Sequence, residues 1–163
     1  MLKRAALLLA AVAVAAVGAS PVAGAATGHA AKKHSVDIAV ELATLSSKGN
    51  PPADGSTVGA GRTTGTYGLG AVVQTTTYGP QAGTFQGTGR FFTRHGSETY
   101  TLTGTGTANP DGSVSFSGHG RVTGGTAVFR HAHGRFHFTG TSPSVTTGQG
   151  TVVTFQVRGA IRY

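Results

Sequence analysis

The sequence predicts an all-β protein: one eight-stranded antiparallel up-and-down barrel, preceded by a cleavable signal peptide. Three observations carry this. Gly is far above its usual frequency of about 7%, at 27 of 163 residues, while charged residues make up only 11%. Thr, Val, Phe and Tyr suit pleated, half-buried surfaces, and Gly suits corners and bulges. Beyond Val40, apolar residues recur with period two and no helical period of useful length is found. Finally, one pattern appears twice: Gly87-Thr88, Phe91, His95-Gly96 and Tyr100-Thr101 return 38 residues later as Gly125-Thr126, Phe129, His133-Gly134 and Phe138-Thr139. Each copy reads as a Gly-Thr corner, a loop carrying one Phe, and an alternating strand.

Residues 1–25 read as the signal peptide. Lys3 and Arg4 precede an apolar run from Ala5 to Val17, and Ala23-Gly24-Ala25 supplies the small-residue cleavage pattern. The run falls short of the roughly 20 residues that a spanning helix needs, so no stable membrane insertion is expected after cleavage. The expected location is secreted, extracellular or in the cell envelope of a bacterium. Export permits disulfides, yet there is no Cys, so the fold must hold by its hydrophobic core alone. The formal charge of +8, less Lys3 and Arg4, leaves +6 on the exported part. Such a surface attracts phosphate, anionic polysaccharide or anionic lipid. Nucleic acid is not an expected partner, because the Arg residues are scattered and no aromatic residues alternate with them as stacking platforms.

Residues 26–35 are short, small and basic and read as a disordered segment; residues 36–163 read as the barrel domain. Val36 to Leu45 alternates, with Ile38, Val40 and Leu42 on one face and Asp37, Ala39 and Glu41 on the other. Ser46 to Thr57 is a loop around Asn50-Pro51-Pro52 and Asp54-Gly55. Val58 to Thr66 is a Gly-rich strand, Leu69 to Tyr78 a clearer one ended by Gly79-Pro80, and Gln81 to Thr93 mixes strand and corner. Glu98 to Thr107 places Tyr100, Leu102 and Gly104 on one face. Asn109-Pro110-Asp111-Gly112 then closes a hairpin. Ser113 to Val122 puts Val114, Phe116, Gly118, Gly120 and Val122 together. Arg135 to Gly140 turns Phe136 and Phe138 inward and His137 outward, and Thr141 to Gly150 is a polar loop. Thr151 to Tyr163 aligns Val153, Phe155, Val157, Ile161 and Tyr163. Eight such strands with one polar face suit a closed barrel, which leaves no free edge; a two-sheet sandwich is the alternative. Inward glycines at 104, 118, 120, 140 and 159 favour closure.

Gly87-Thr88-Gly89-Arg90-Phe91 and Gly124-Gly125-Thr126-Ala127-Val128-Phe129 resemble the GGTGxF corner of dirigent proteins and allene oxide cyclases, and Gly83 to Tyr163 is similar to the bacterial exported members of that group. The resemblance covers about half the chain. It implies a calycin-like eight-stranded barrel with a cavity open at one end, often a homo-oligomer. It also implies activities such as cyclisation of a fatty-acid epoxide or guidance of phenoxy radical coupling. Ala127 departs from the corner pattern, which ends in Gly there. None of the family's catalytic residues is assigned to a position in this chain.

Few residues present chemistry. His131, His133 and His137 form the most conspicuous cluster, but the first two fall in a loop with no adjacent carboxylate, so no metal and no cofactor are expected. Asp54 and Asp111 belong to turns. Asp37 and Glu41 share a face that is solvated unless it lines a cavity, where Arg158 or His137 could meet them. There is no G-x-S-x-G, no Cys nucleophile and no H-E-x-x-H. The aromatic residues are chiefly core; Phe91, Phe129, Tyr100 and Phe138 are the candidates for lining a small apolar ligand site at the barrel mouth. The expected function is a non-catalytic one outside the cytoplasm, binding a small apolar or aromatic molecule or serving a structural role. An isomerase or cyclase of the allene oxide cyclase type is the alternative, and attachment through the basic face is a third reading.

Overall fold

The computed structural model describes residues 31–45, 56–143 and 151–163. The expected signal peptide and the loop around Pro51 lie outside them. The strands are β1 (Lys33–Leu45), β2 (Ser56–Gly65), β3 (Gly70–Tyr78), β4 (Thr84–Thr93), β5 (Gly96–Ala108), β6 (Val114–Gly125), β7 (His133–Ser142) and β8 (Thr151–Arg162), with one 3-10 turn at Ala127–Phe129. All neighbours are antiparallel, and the order β1 to β8 closes into a barrel. The seam between β1 and β8 runs in continuous register from Lys33↔Arg162 to Thr44↔Thr151. β1 therefore starts before Val36: residues 33–35, expected to be disordered, pair with Arg162, Ile161 and Ala160, because an unpaired β8 end would otherwise leave backbone groups without partners.

The alternation read from the sequence sets the two surfaces. Val36, Ile38, Val40 and Leu42 of β1, Phe136 and Phe138 of β7, and Val157 and Ile161 of β8 are buried in one core. The outer surface carries chiefly Thr, Ser, Gln, His and Arg, as in the cross-strand row Thr88↔Thr101↔Arg121↔Arg135, with Val73, Tyr78, Phe92 and Val152 exposed among them. An apolar inside under a largely polar outside is the reverse of the usual transmembrane barrel pattern.

Glycine and aromatic residues fill the interior as complements. A Cβ at Gly120 would strike the Phe136 ring, and one at Gly89 the Tyr100 hydroxyl. One at Gly118 would meet the Thr103 carbonyl and the Phe138 ring. Missing side chains on one strand thus make room for rings from another. Those rings contact one another: Phe91 stacks on Tyr100 with centroids 4.6 Å apart, and Phe138 meets Phe155 edge-on at 5.7 Å. Each fully buried ring contributes about 1.5–3 kcal/mol of transfer free energy. Within the core, Tyr100 donates to Gln74 at 2.9 Å, and Gln74 donates to Thr76 at 2.9 Å, so the polar atoms of these two side chains are paired.

This packing changes the meaning of the 38-residue repeat. Gly125-Thr126 sits at a corner, as expected, but Gly87-Thr88 lies inside β4, where Gly87 and Gly89 make space for Leu102 and Tyr100 instead of turning the chain. Phe91 is a strand residue opposite Glu98, whereas Phe129 ends the 3-10 turn. One irregularity breaks the ladders of β5 and β6: Thr99 pairs with Gly124 and Tyr100 with Val122, leaving Thr123 as an extra residue. Such a bulge sharpens the local twist. At the opposite end, the Asn109 to Ser113 hairpin turn is closed by Gly112 at φ 80° and by Asp111 accepting from the Ser113 amide and hydroxyl.

Candidate functional site

The end of the barrel where β1 begins and β8 finishes also gathers the turns 66–69, 94–95 and 126–132. It is closed by aromatic side chains. Tyr67 meets Phe129 edge-on at 5.4 Å, Phe129 meets Tyr163 at 4.9 Å, and Tyr163 stacks on His34 at 4.3 Å. The 3-10 turn that supplies Phe129 is tied to β5 through Thr126, whose amide donates to the Ser97 carbonyl at 2.8 Å and whose hydroxyl accepts from the Ser97 amide at 3.0 Å. Gly125 permits this close return, since a Cβ there would press on the Phe129 Cβ at 2.8 Å. Ala127 has φ 52°, a left-handed conformation unfavourable for a residue with a Cβ. The chain reversal leaves Val128 54% exposed and Phe129 1% exposed.

Beneath the aromatic cover lies Glu98. It is inward by the same alternation that buries Tyr100 and Leu102, and it is 1% exposed. Both carboxyl oxygens, and the Tyr67 hydroxyl, lack a hydrogen-bond partner among the described residues. Burial pushes the Glu98 carboxyl up from 4.5 to about 7, against a smaller downward pull from the Tyr67 hydroxyl. That hydroxyl is near enough to favour the ionised carboxyl, although the geometry falls short of a hydrogen bond. The Tyr67 and Tyr163 hydroxyls are both raised, first by burial and then by the negative charge of Glu98. A carboxyl that titrates near neutrality can give or take a proton, but here it is sealed from solvent.

The four residues expected to line a ligand site do not surround one space. Phe91, Tyr100 and Phe138 border an interior cavity of only about 20 Å³, and Phe129 belongs to the end cover. All four are buried in the core. The expected histidine cluster is dispersed. His131 is in the turn, and the His133 imidazole Nδ1 is 3.0 Å from the His131 carbonyl. His137 lies on the outer surface, opposite His119 and Arg158. No group of three metal-ligating side chains occurs among the described residues. Asp37 and Glu41 take the solvated face, pairing with Arg158 at 3.3 Å and with Arg62 at 2.6 Å; such exposed pairs contribute about 0–1 kcal/mol.

Among the described residues, charge is distributed unevenly between the two ends. Lys32, Lys33, Arg94, Arg130 and Arg162 are all exposed on the end that holds Glu98, and His95, His131 and His133 lie among them. Lys33 and His133 both stand directly opposite Arg162. Like charges facing across a ladder are destabilising, and none of these five cations has an ion-pair partner among the described residues. The described turns of the other end, 79–83 and 109–112, contain no Lys, Arg or His, only Asp111.

Glu98 received no role in the sequence reading, yet its position two residues before Tyr100 placed it inward. The basic rim was hidden because its members are far apart in sequence and meet only when the barrel closes. No family model matches the chain, and no curated protein or solved structure is detectably similar to it.

Proposed function

We propose that this chain is an exported, non-catalytic barrel that attaches to an anionic surface outside the cytoplasm through its basic end. The observation that carries the reading is the crowding of charge at one end: five exposed Lys and Arg side chains gather there, without carboxylate partners among the described residues. Opposed cations such as Lys33 and Arg162 cost stability in the free protein, and an external polyanion relieves that cost. The binding role is assigned to the outside because a small apolar molecule in the interior would have to displace rings such as Phe91 and Phe138. The space beside them, about 20 Å³, has room for roughly one water. The allene oxide cyclase and dirigent resemblance supports the choice of barrel and is not needed for this role.

The test is retention on immobilised dextran sulfate as ionic strength rises. Retention at 50 mM salt, lost toward 0.5 M, is expected, because screening shortens from roughly 14 Å to 4 Å over that range. Arg94→Gln/Arg130→Gln should elute earlier. Flow-through of the unaltered protein at low salt sinks the proposal.

A second reading, the isomerase or cyclase, is favoured by Glu98, which has the acidity of a neutral-pH acid–base group. It requires Phe129 and its turn to swing away to admit substrate. Proteolysis or hydrogen exchange showing residues 126–132 as protected as the strands would count against it.

A further inference from the structure

We propose that the basic end is a lipid-docking surface on which Leu69 and Val128 enter the headgroup region of an anionic bilayer while the surrounding cations hold lipid phosphates; this deepens the attachment role proposed above and rests on it. Leu69 is 75% exposed, the most exposed large hydrophobic side chain among the described residues, and Val128 is 54% exposed. Both stand at turns of the cationic end rather than on the barrel wall. Their turns touch, since Tyr67, two residues before Leu69, packs on Phe129, the residue after Val128. The two aliphatic tips therefore project from adjoining turns.

The surroundings fit a membrane better than a soluble polyanion. Arg130 follows Val128 by two residues, Arg94 lies on the neighbouring turn, and Lys32 and Lys33 enter β1 at the same end. An anionic polysaccharide offers these cations sulfate or carboxylate but gives a bare Leu and Val nothing to enter. A bilayer offers both, and interfacial proteins bind by this combination of apolar insertion and attraction to anionic headgroups. The core beneath does not have to open for docking: Phe129 stays buried while Val128 points away from it. The left-handed Ala127 sets up that division. The attachment proposed is peripheral: Leu69 and Val128 are apolar tips of two turns and enter only the headgroup region.

The experiment is co-sedimentation with vesicles of phosphatidylcholine alone and of phosphatidylcholine with about one-third phosphatidylglycerol, with dextran sulfate as the soluble polyanion. Binding to the anionic vesicles, and at least tenfold weaker binding to the neutral ones, is expected. Each Lys or Arg near such a surface strengthens binding about fivefold, so Arg94→Gln/Arg130→Gln should weaken it roughly twentyfold on vesicles and also reduce dextran sulfate binding. Leu69→Ser/Val128→Ser should lose vesicle binding and keep dextran sulfate binding. Because the sequence has no cysteine, Leu69→Cys carrying an environment-sensitive dye reports insertion directly, as a blue shift on anionic vesicles. Dextran sulfate binding without anionic vesicle binding overturns the lipid inference and leaves the attachment role standing. Binding to neither overturns both. Vesicle binding with no blue shift at position 69, or unchanged in the Leu69/Val128 variant, overturns insertion.

Discussion

The Tyr100 hydroxyl donates a 2.9 Å hydrogen bond to the side-chain oxygen of Gln74 across the barrel interior, with both residues buried. Tyr100 lies over Gly89, so the ring is held from three sides: by the missing Cβ, by the stacked Phe91 and by this bond. Tyr100→Phe keeps the packing and strands the Gln74 oxygen. The expected loss is about 1–2 kcal/mol of unfolding free energy, measurable by urea titration with an unchanged m-value. A variant as stable as the original would show that the bond contributes nothing net.

Glu98 makes stability depend on pH in an unusual direction for a carboxylate. The folded chain holds its proton up to about pH 7, the unfolded chain only to about 4.5. Between those values the folded state binds more protons, so stability is greatest below pH 4.5 and declines as pH rises through 7, by on the order of 3 kcal/mol in all. Glu98→Gln removes this contribution. Thermal unfolding from pH 4 to pH 8 should show a shallower decline in the variant, with the largest gain in melting temperature at pH 8. Parallel profiles would contradict the burial of an ionisable group there.

Gly118 has no room for a methyl group, since the Thr103 carbonyl, the Phe138 ring and the Gly104 Cα all crowd its Cβ direction. Gly118→Ala should destabilise by about 1–3 kcal/mol through overpacking. Gly68, which a Cβ would leave in open space but which has φ 77°, provides a contrast. Alanine there should cost about 1–2 kcal/mol from backbone strain alone, with no change in near-ultraviolet circular dichroism. Gly118→Ala should alter that aromatic spectrum.

Ala127 is the sole described non-glycine residue at positive φ. Ala127→Gly should raise unfolding free energy by up to about 1 kcal/mol, because the left-handed strain disappears, less the added entropy of the unfolded chain. Equilibrium unfolding at pH 8.5, above the window of the Glu98 titration, measures it. A loss of stability would mean that the Ala127 methyl group packs usefully against Gly96.

Strand order, closure and the inward set were legible because a period-two pattern is local. Val36 to Leu42 and Phe136-His137-Phe138 declare their faces without reference to any partner. The part that was not legible depends on which residues face each other. Nothing within Gly87-Thr88-Gly89 distinguishes a corner from a strand that yields space to Tyr100 and Leu102; the distinction lies in β5. Glu98 was within reach of the alternation argument, but a carboxylate on an apolar face runs against expectation unless burial is known. The cation end needed the closed topology, since Lys33 and Arg162 become neighbours only across the seam.

That seam also governs when the molecule becomes a molecule. Asp37 and Gln156 bond side chain to side chain although 119 residues separate them, so the costliest loop to close is the one that completes the cylinder. A chain that folds as it is made, with β1 first, cannot finish this architecture until β8 is available. Delay is thus written into the topology: the cylinder locks only when its last strand meets its first.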